Sequence, residues 1–178
     1  NRAGRIPGYE PFLASGDPRH WAMAAFNGRG EPVVALGNSS VRFSIQSVAK
    51  AISHLLYIQR LGIEGSQRYV GVEYSPHPFN AANLLASGLP FNPMTNLGAF
   101  VVNAHLESAY GNGYTRWLLG WLRHVTGDPM ITINHDAMVD ALDVADVNKR
   151  LMDGLVATSP HVLPDGVDPE KALRSYYE

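Results

Sequence analysis

The sequence contains no cysteine, which excludes disulfide bonds, thiolate catalysis and the usual cysteine-based structural zinc sites. Its seven histidines are dispersed, and no two of them have the His-x-x-x-His or His-Glu-x-x-His spacing of a zinc ligand pair. We therefore expect neither a metal ion nor another cofactor. A chain without cysteine is typical of a reducing compartment, so the cytoplasm is the expected location.

The sequence also lacks a long apolar run and a marked excess of charge. No segment reaches the length needed to span a membrane, and there is no signal-peptide pattern. With 14 basic and 16 acidic residues the formal charge is −2, which gives no reason to expect nucleic acid or an anionic membrane as a partner. The length of 178 residues suits one domain with a sizeable core, or a fragment of a larger domain.

The segment 42–50, Arg-Phe-Ser-Ile-Gln-Ser-Val-Ala-Lys, holds the one pairing in this sequence of a hydroxyl with an amine three residues later. Ser47 and Lys50 share a face if a helix begins near Ser44. A serine hydroxyl needs a base within hydrogen-bond reach, and lysine is such a base when burial or a cationic neighbour keeps its amine neutral. The first turn of a helix would also stabilise negative charge that develops on a substrate. The pattern therefore predicts a Ser-Lys catalytic pair.

The same residues also have a purely structural interpretation. Ser44 would cap the helix, Ser47 would be an ordinary serine of the first turn, and Lys50 would lie on a surface face. Because short patterns of common residues arise by chance, the motif alone favours this interpretation over catalysis.

The remaining patterns predict a mostly helical chain with one hairpin. Runs at 21–26 and 32–36 flank an Asn-Gly-Arg-Gly turn, which indicates two antiparallel strands. Apolar spacing predicts a helix from near Ser44 to Gly62. Further helices are predicted at 79–85, 97–106, 114–125, from 134 or 136 through 155, and from Asp168 onward. Asn96 precedes one of these helices, where an asparagine is usually a cap.

Four blocks of the chain, taken in order, resemble the serine-dependent glutaminases. The first is a tyrosine-bearing lead-in at 4–11, and the second is the 42–50 segment. The third joins Val-Gly-Val-Glu at 70–73 to Pro-Phe-Asn at 78–80, and the fourth is the asparagine block at 92–100. The resemblance implies an α+β fold of the β-lactamase and transpeptidase type. This chain would carry the mostly helical portion and an N-terminal β-hairpin of the sheet.

The resemblance also implies an activity and its residues. It makes Ser47 the nucleophile and Lys50 the base of an amidohydrolase that converts L-glutamine into L-glutamate and ammonia through an acyl-enzyme. The substrate-binding positions of the family fall on Tyr9, Asn96, Asn148 and Tyr176. The expected partner is therefore a small-molecule amide, and the family also implies a homo-oligomer.

One departure from the family bears on the substrate. The family has a glutamate seven residues before its second binding asparagine, where it takes the substrate α-ammonium, and this chain has Ala141 there. An α-ammonium without a partner in a closed pocket would be costly. Either Asp140 or Asp143 therefore replaces the glutamate, or the substrate is not free glutamine. The segment around Asp146 also lacks the glycine and arginine of the family.

The second departure is the end of the chain. The family continues past the position of Tyr176 with a further catalytic tyrosine, a Lys-Ser-Gly strand and the strands that complete the sheet. We therefore expect residues 1–178 to form a single catalytic domain that is incomplete at its C-terminus and does not hydrolyse glutamine efficiently alone. Two other interpretations stay open. One is another serine acyl transferase of this fold, acting on a different amide or a β-lactam, and the other is a non-catalytic scaffold protein.

Overall fold

The computed structural model describes residues 5, 6 and 8–178, which fall into two compact units divided between Ser44 and Ile45. We call them the N-terminal unit and the helical unit. Gly4 and Pro7 of the lead-in block lie outside the described residues. The expectation of one catalytic domain over 1–178 stays a prediction.

The N-terminal unit contains one turn of helix, α1 (Pro11–Ala14), and the predicted hairpin. Its strands, β1 (Ala22–Phe26) and β2 (Pro32–Gly37), are antiparallel, with an irregularity in register between Ala25 and Phe26. In the connecting loop, Asn27 Oδ1 accepts hydrogen bonds from the backbone N–H groups of Arg29 (2.9 Å) and Glu31 (3.0 Å). Gly30 has φ +78°, a left-handed conformation that glycine adopts without a steric penalty. The hairpin prediction is confirmed.

The helical unit begins with a short 3₁₀ turn at Gln46–Val48 that leads directly into α2. Its α-helices are α2 (Ala49–Ser66), α3 (Asn96–Tyr110), α4 (Tyr114–Thr126), α5 (His135–Asp143), α6 (Asp146–Thr158) and α7 (Pro169–Tyr177). Further 3₁₀ turns lie at Gly111–Gly113 and Pro160–Val162. Among the described residues, no helix is both long enough and apolar enough to cross a membrane.

The core of the helical unit is built around α3. Phe100, Val101 and Ala104 are completely buried there, as the sequence predicted for a buried helix. Burying an aromatic or branched side chain of this kind contributes about 1.5–3 kcal/mol, so α3 supplies much of the driving force for folding. Leu56 of α2 and Leu155 of α6 belong to the same apolar cluster.

Polar contacts of Glu107 fix α7 along α3. Glu107 is buried, its Oε1 lies 2.6 Å from Lys171 Nζ, and its Oε2 accepts a hydrogen bond of 3.0 Å from Ser175 Oγ. Ala172 and Leu173 are buried on the same helix. The predicted start of α7 is confirmed, because Asp168 Oδ1 accepts hydrogen bonds from the N–H groups of residues 170 and 171.

Two other predicted helices differ from the structure. Residues 79–85 form no helix, because their backbone groups bond elsewhere: the Phe79 carbonyl accepts from Asn96 N–H, and Leu85 N–H donates to Leu89. The helix predicted through 155 is interrupted at Val144 and Ala145, where the backbone leaves the helical conformation and separates α5 from α6. Of the two predicted starting points, 134 and 136, the structure has Asn134 as the cap, whose Oδ1 accepts a hydrogen bond from Ala137 N–H.

The start of α2 also differs from the prediction. The α-helix starts at Ala49 rather than near Ser44, and it continues to Ser66. Gly62 has the non-helical angles φ +73° and ψ 168°, so the first helical segment stops there and a short second segment follows after the kink. The predicted stop at Gly62 is confirmed, and glycine suits it because it adopts a positive φ without a steric penalty.

Candidate active site

Ser47 is exposed in the 3₁₀ turn that precedes α2. The residue before it, Gln46, has φ +48°, a left-handed conformation that costs a side-chain-bearing residue about 1 kcal/mol or more. The backbone therefore turns sharply just before Ser47. Ser44 occupies neither cap position, since Ile45 precedes the 3₁₀ turn and Val48 precedes α2. The capping role that the structural interpretation gave to Ser44 is wrong.

Lys50 is buried, with 5% of its surface exposed, so it is not a surface lysine. Its Nζ donates hydrogen bonds to the Met94 carbonyl (3.1 Å) and to Asn96 Oδ1 (2.6 Å). The same atom lies 5.6 Å from the Phe79 ring centre and 5.9 Å from that of Tyr176. Burial lowers the pKa of Lys50 to about 8, which brings the neutral amine within reach of ordinary pH.

Asn96 is the first residue of α3, and its side chain does not cap that helix. The cap is Thr95, whose Oγ1 accepts a hydrogen bond from Gly98 N–H. The Asn96 amide instead contacts three other segments of the chain. Its Oδ1 accepts from Lys50 and from the Tyr176 hydroxyl (3.4 Å), and its Nδ2 donates to Asn148 Oδ1 (2.9 Å).

Asn148 lies in the first turn of α6 and makes a second contact that the sequence did not predict. Its Nδ2 donates to the Tyr177 hydroxyl at 2.5 Å. Tyr176 and Tyr177 lie in the last turn of α7, with their rings packed edge to face at 5.2 Å between centres. Four predicted site residues, Lys50, Asn96, Asn148 and Tyr176, are therefore connected in one network. The one sequence feature that could have pointed to Tyr177 is its position directly after Tyr176.

A tight turn places Asn96 at this position. Asn92 Oδ1 accepts from the N–H groups of Met94 (3.0 Å) and Thr95 (3.2 Å), and Thr95 Oγ1 donates to the Asn92 carbonyl (2.9 Å). That carbonyl also approaches α3 closely, because a Cβ added to Gly98 would lie 2.0 Å from it. Glycine at 98 thus permits the turn that brings Asn96 to Lys50.

Other predicted residues are not joined to this network. No hydrogen bond links Ser47 to Lys50 in the described part of the chain, and catalytic bonds of this kind often tighten only when substrate is bound. Tyr9 is an exposed residue of the N-terminal unit, and its role stays a prediction.

On α5, Ala141 is buried, Asp140 is half-buried and Asp143 is exposed. Residues 5, 6 and 8–178 contain no cluster of three or more histidine and carboxylate side chains that could hold a metal ion.

The arrangement combines the elements of acyl transfer. A buried amine with a lowered pKa lies three residues after an exposed hydroxyl at the start of a helix. The Asn96 side chain accepts a hydrogen bond from the amine and donates one to Asn148. Such a pair can transfer a serine proton and later return it to a leaving amine.

Comparison with known proteins gives consistent matches. A family model described as Glutaminase matches residues 4–178. The chain is 31% identical to Glutaminase 2 of Bradyrhizobium diazoefficiens over 93% of its own length and 26% of the relative's. It is 36% identical to a glutaminase of Streptomyces coelicolor over 80% of its length and 46% of the relative's. The chain thus spans between a quarter and a half of these curated relatives.

Solved structures agree with these matches. The structure of a probable glutaminase of Bacillus subtilis is 25% identical to this chain, with a TM-score of 0.79. The match covers 95% of this chain and 54% of the Bacillus subtilis chain. Another structure, also of a probable glutaminase, is 21% identical to this chain and has a TM-score of 0.87. That match covers 98% of this chain and 55% of the other. The predicted β-lactamase-like α+β fold is confirmed.

Proposed function

The chain belongs to the glutaminase family, and from this premise we propose that the protein hydrolyses the side-chain amide of L-glutamine to L-glutamate and ammonia. Ser47 is the nucleophile and Lys50 is the general base. The observation that carries the proposal is the buried Lys50 amine, with its pKa lowered to about 8, beside Asn96 and three residues after an exposed serine.

The reaction proceeds in two halves. In the first, Ser47 Oγ forms a bond to the amide carbon while its proton passes to the Lys50 amine. The tetrahedral intermediate then collapses, the carbon–nitrogen bond breaks, and Lys50 returns the proton to the departing nitrogen, which leaves as ammonia. In the second, Lys50 takes a proton from water as the water attacks the ester, and glutamate leaves while Ser47 regains its proton. The Ser47 N–H is a donor for the developing oxyanion.

Substrate binding falls to the polar groups near Lys50. Asn96, Asn148 and Tyr176 offer neutral donors and acceptors, which suit the polar groups of an amino acid amide. Family resemblance implies that Tyr9 also binds substrate.

The absence of an acid at Ala141 supports a second candidate, an amidase that acts on a primary amide without a free α-ammonium. Ala141 is buried, and the adjacent Asp140 is the nearest replacement in sequence. Ammonia release from L-glutamine and from Nα-acetyl-L-glutamine distinguishes the two. Faster turnover of L-glutamine supports the glutaminase, and the reverse supports the second candidate. Release from neither substrate by the folded full-length protein contradicts both.

The assembly and location of the protein are part of the same proposal. A homo-oligomer follows from the family resemblance, and light scattering of the purified protein would reveal it. A cytoplasmic location is supported by the absence of cysteine.

A further inference from the structure

Glu107 is a buried carboxylate of α3 that contacts two side chains of α7. Its Oε1 forms an ion pair with Lys171 Nζ at 2.6 Å, and its Oε2 accepts a hydrogen bond of 3.0 Å from Ser175 Oγ. An ionised carboxylate can only accept, so the serine hydroxyl is the donor. Lys171 and Ser175 are one helical turn apart on the same face of α7. The two oxygens of one side chain therefore hold two successive turns of that helix.

The other contacts of α7 determine its position along α3 less sharply. The helix has nine residues, of which Ala172 and Leu173 are buried. A helix of this length is marginal by itself in water, so its place depends on contacts with the rest of the protein. Apolar packing is non-directional and tolerates a small movement, whereas polar contacts weaken steeply when their distance and angle change. Glu107 is therefore the group that fixes the register of α7 against α3.

The register of α7 decides where Tyr176 lies, because Tyr176 directly follows Ser175. The Tyr176 hydroxyl lies 3.4 Å from Asn96 Oδ1. Its ring packs edge-on against Phe100, with 4.8 Å between the ring centres. Asn96 and Glu107 are about three turns apart and share a face of α3. Helix α3 thus carries the partner of the Tyr176 hydroxyl near one end and the anchor of α7 near the other.

We propose that Glu107 is a positioning residue for the substrate site: by fixing α7 against α3, it places the Tyr176 hydroxyl beside Asn96. The inference rests on the proposed function in so far as Tyr176 binds substrate. Glu107 is on the order of 16 Å from Asn96 along the helix axis, so it acts through α7 and not by contact with the substrate.

The first test compares the full-length wild-type protein with Glu107→Met. Methionine is of similar length, so it removes both acceptors without leaving a large cavity, and the exposed Lys171 can turn its charge to water. Replacement of a buried ion pair by an apolar group often leaves stability unchanged. We expect thermal unfolding close to that of the wild type and a kcat/KM for ammonia release about threefold to tenfold lower, as the loss of one hydrogen bond predicts. A lower melting temperature with unchanged kcat/KM would show a purely structural role and overturn the proposal.

Arg174→Met is the matched control on the same helix. Arg174 Nε lies 3.5 Å from Glu178 Oε1, which is one turn further along the chain. The change removes a charge and an ion pair next to Ser175, but the pair does not involve α3. Its kcat/KM should therefore match the wild type, and a loss equal to that of Glu107→Met would overturn the specific role of Glu107.

Tyr176→Phe tests the route of the effect. If Glu107 acts by placing the Tyr176 hydroxyl, Glu107→Met should lower kcat/KM little further once that hydroxyl is gone. Its effect on thermal unfolding should be the same in both backgrounds, because the anchor itself is unchanged. Equal fold-changes of kcat/KM in the two backgrounds would contradict action through Tyr176.

A crystal structure of Glu107→Met separates this inference from the proposed function. We expect the Tyr176 ring to be displaced relative to Phe100 and Asn96 by on the order of 1 Å, which is less than the rise of one helical residue. An unmoved Tyr176 would overturn the proposal whatever the activity. Failure of the full-length wild-type protein to release ammonia would contradict the proposed function and leave the crystal structure to decide the role of Glu107.

Discussion

Lys50 Nζ lies 2.6 Å from Asn96 Oδ1, although the two residues are 46 positions apart. The bond joins the first turn of α2 to the first residue of α3. The acceptor is a neutral amide, and burial is the cause that lowers the pKa of Lys50. The amine is thus held in place without a counter-ion that would keep it charged, as a general base requires.

The pH dependence of turnover should follow the neutral form of Lys50. Because its pKa is lowered to about 8, kcat/KM should rise about tenfold per pH unit on the acid side of that value and level off above it. Ammonia release by the full-length protein from about pH 6 to about pH 9.5 measures this. A rate that declines as the pH approaches 8 from below would exclude Lys50 as the base.

The same ionisation should appear in the stability of the fold. The pKa of Lys50 is about 8 when folded and 10.5 in the reference state, so the unfolded chain binds more protons between these values. The free energy of unfolding should therefore rise with pH across this window, by on the order of 2 kcal/mol, relative to Lys50→Met. Urea denaturation of both proteins at several pH values tests it. Tyrosine titration is shared by the two proteins and cancels in the difference, and a constant difference would contradict the expectation.

Ser47→Ala should lower turnover by several orders of magnitude and leave the fold nearly unchanged, since it removes one exposed hydroxyl that attacks the substrate. The measurements are ammonia release and thermal unfolding of the full-length protein. Ser108→Ala, at another exposed serine of the helical unit, is the matched control and should retain activity. An active Ser47→Ala protein would rule out covalent catalysis at this residue.

Gly98→Ala should destabilise the protein by about 1–3 kcal/mol, because the new Cβ would lie 2.0 Å from the Asn92 carbonyl and one of them must move. The turn that carries Asn96 would shift with it, so turnover should fall as well. Gly154→Ala is the control. Gly154 is also inside a helix but has no atom within 4 Å of an added Cβ, so the change should be neutral or stabilising by up to about 1 kcal/mol. Equal effects of the two changes in chemical denaturation would argue against the close approach at Gly98.

The sequence predicts those elements whose turn residues, apolar spacing or cap residues lie next to each other in the chain. The hairpin turn, the buried stripe of α3 and the Asp168 cap were all readable from adjacent residues. The apolar spacing of residues 79–85 is similar to that of a helix, but their backbone groups have other partners. The Phe79 carbonyl accepts from Asn96 N–H, and Leu85 N–H donates to the Leu89 carbonyl. Asparagine and threonine are both good caps, so the sequence cannot distinguish Asn96 from Thr95. The backbone conformation of that turn makes Thr95 the cap.

The site was predictable mainly through family resemblance. No local pattern indicates that Lys50, Asn96 and Asn148 meet, since their contacts depend on how α2, α3 and α6 pack. Tyr177 was missed for the same reason, because its bond to Asn148 depends on the rotation of α7 against α6. Sequence periodicity predicts which face of a helix is buried, but it does not predict which partner a single hydroxyl on that helix will bond.

Both tyrosines of the network lie on the last turn of α7, and α7 is secured to α3 by Glu107 with Lys171 and Ser175. Local opening of this one helix, while the rest stays folded, would separate Tyr177 from Asn148 and Tyr176 from Asn96. The fraction of molecules with an assembled site is then set by the free energy of that local opening, which is smaller than that of global unfolding. Amide hydrogen exchange in residues 171–177 therefore reports the competent population more directly than a thermal melt does.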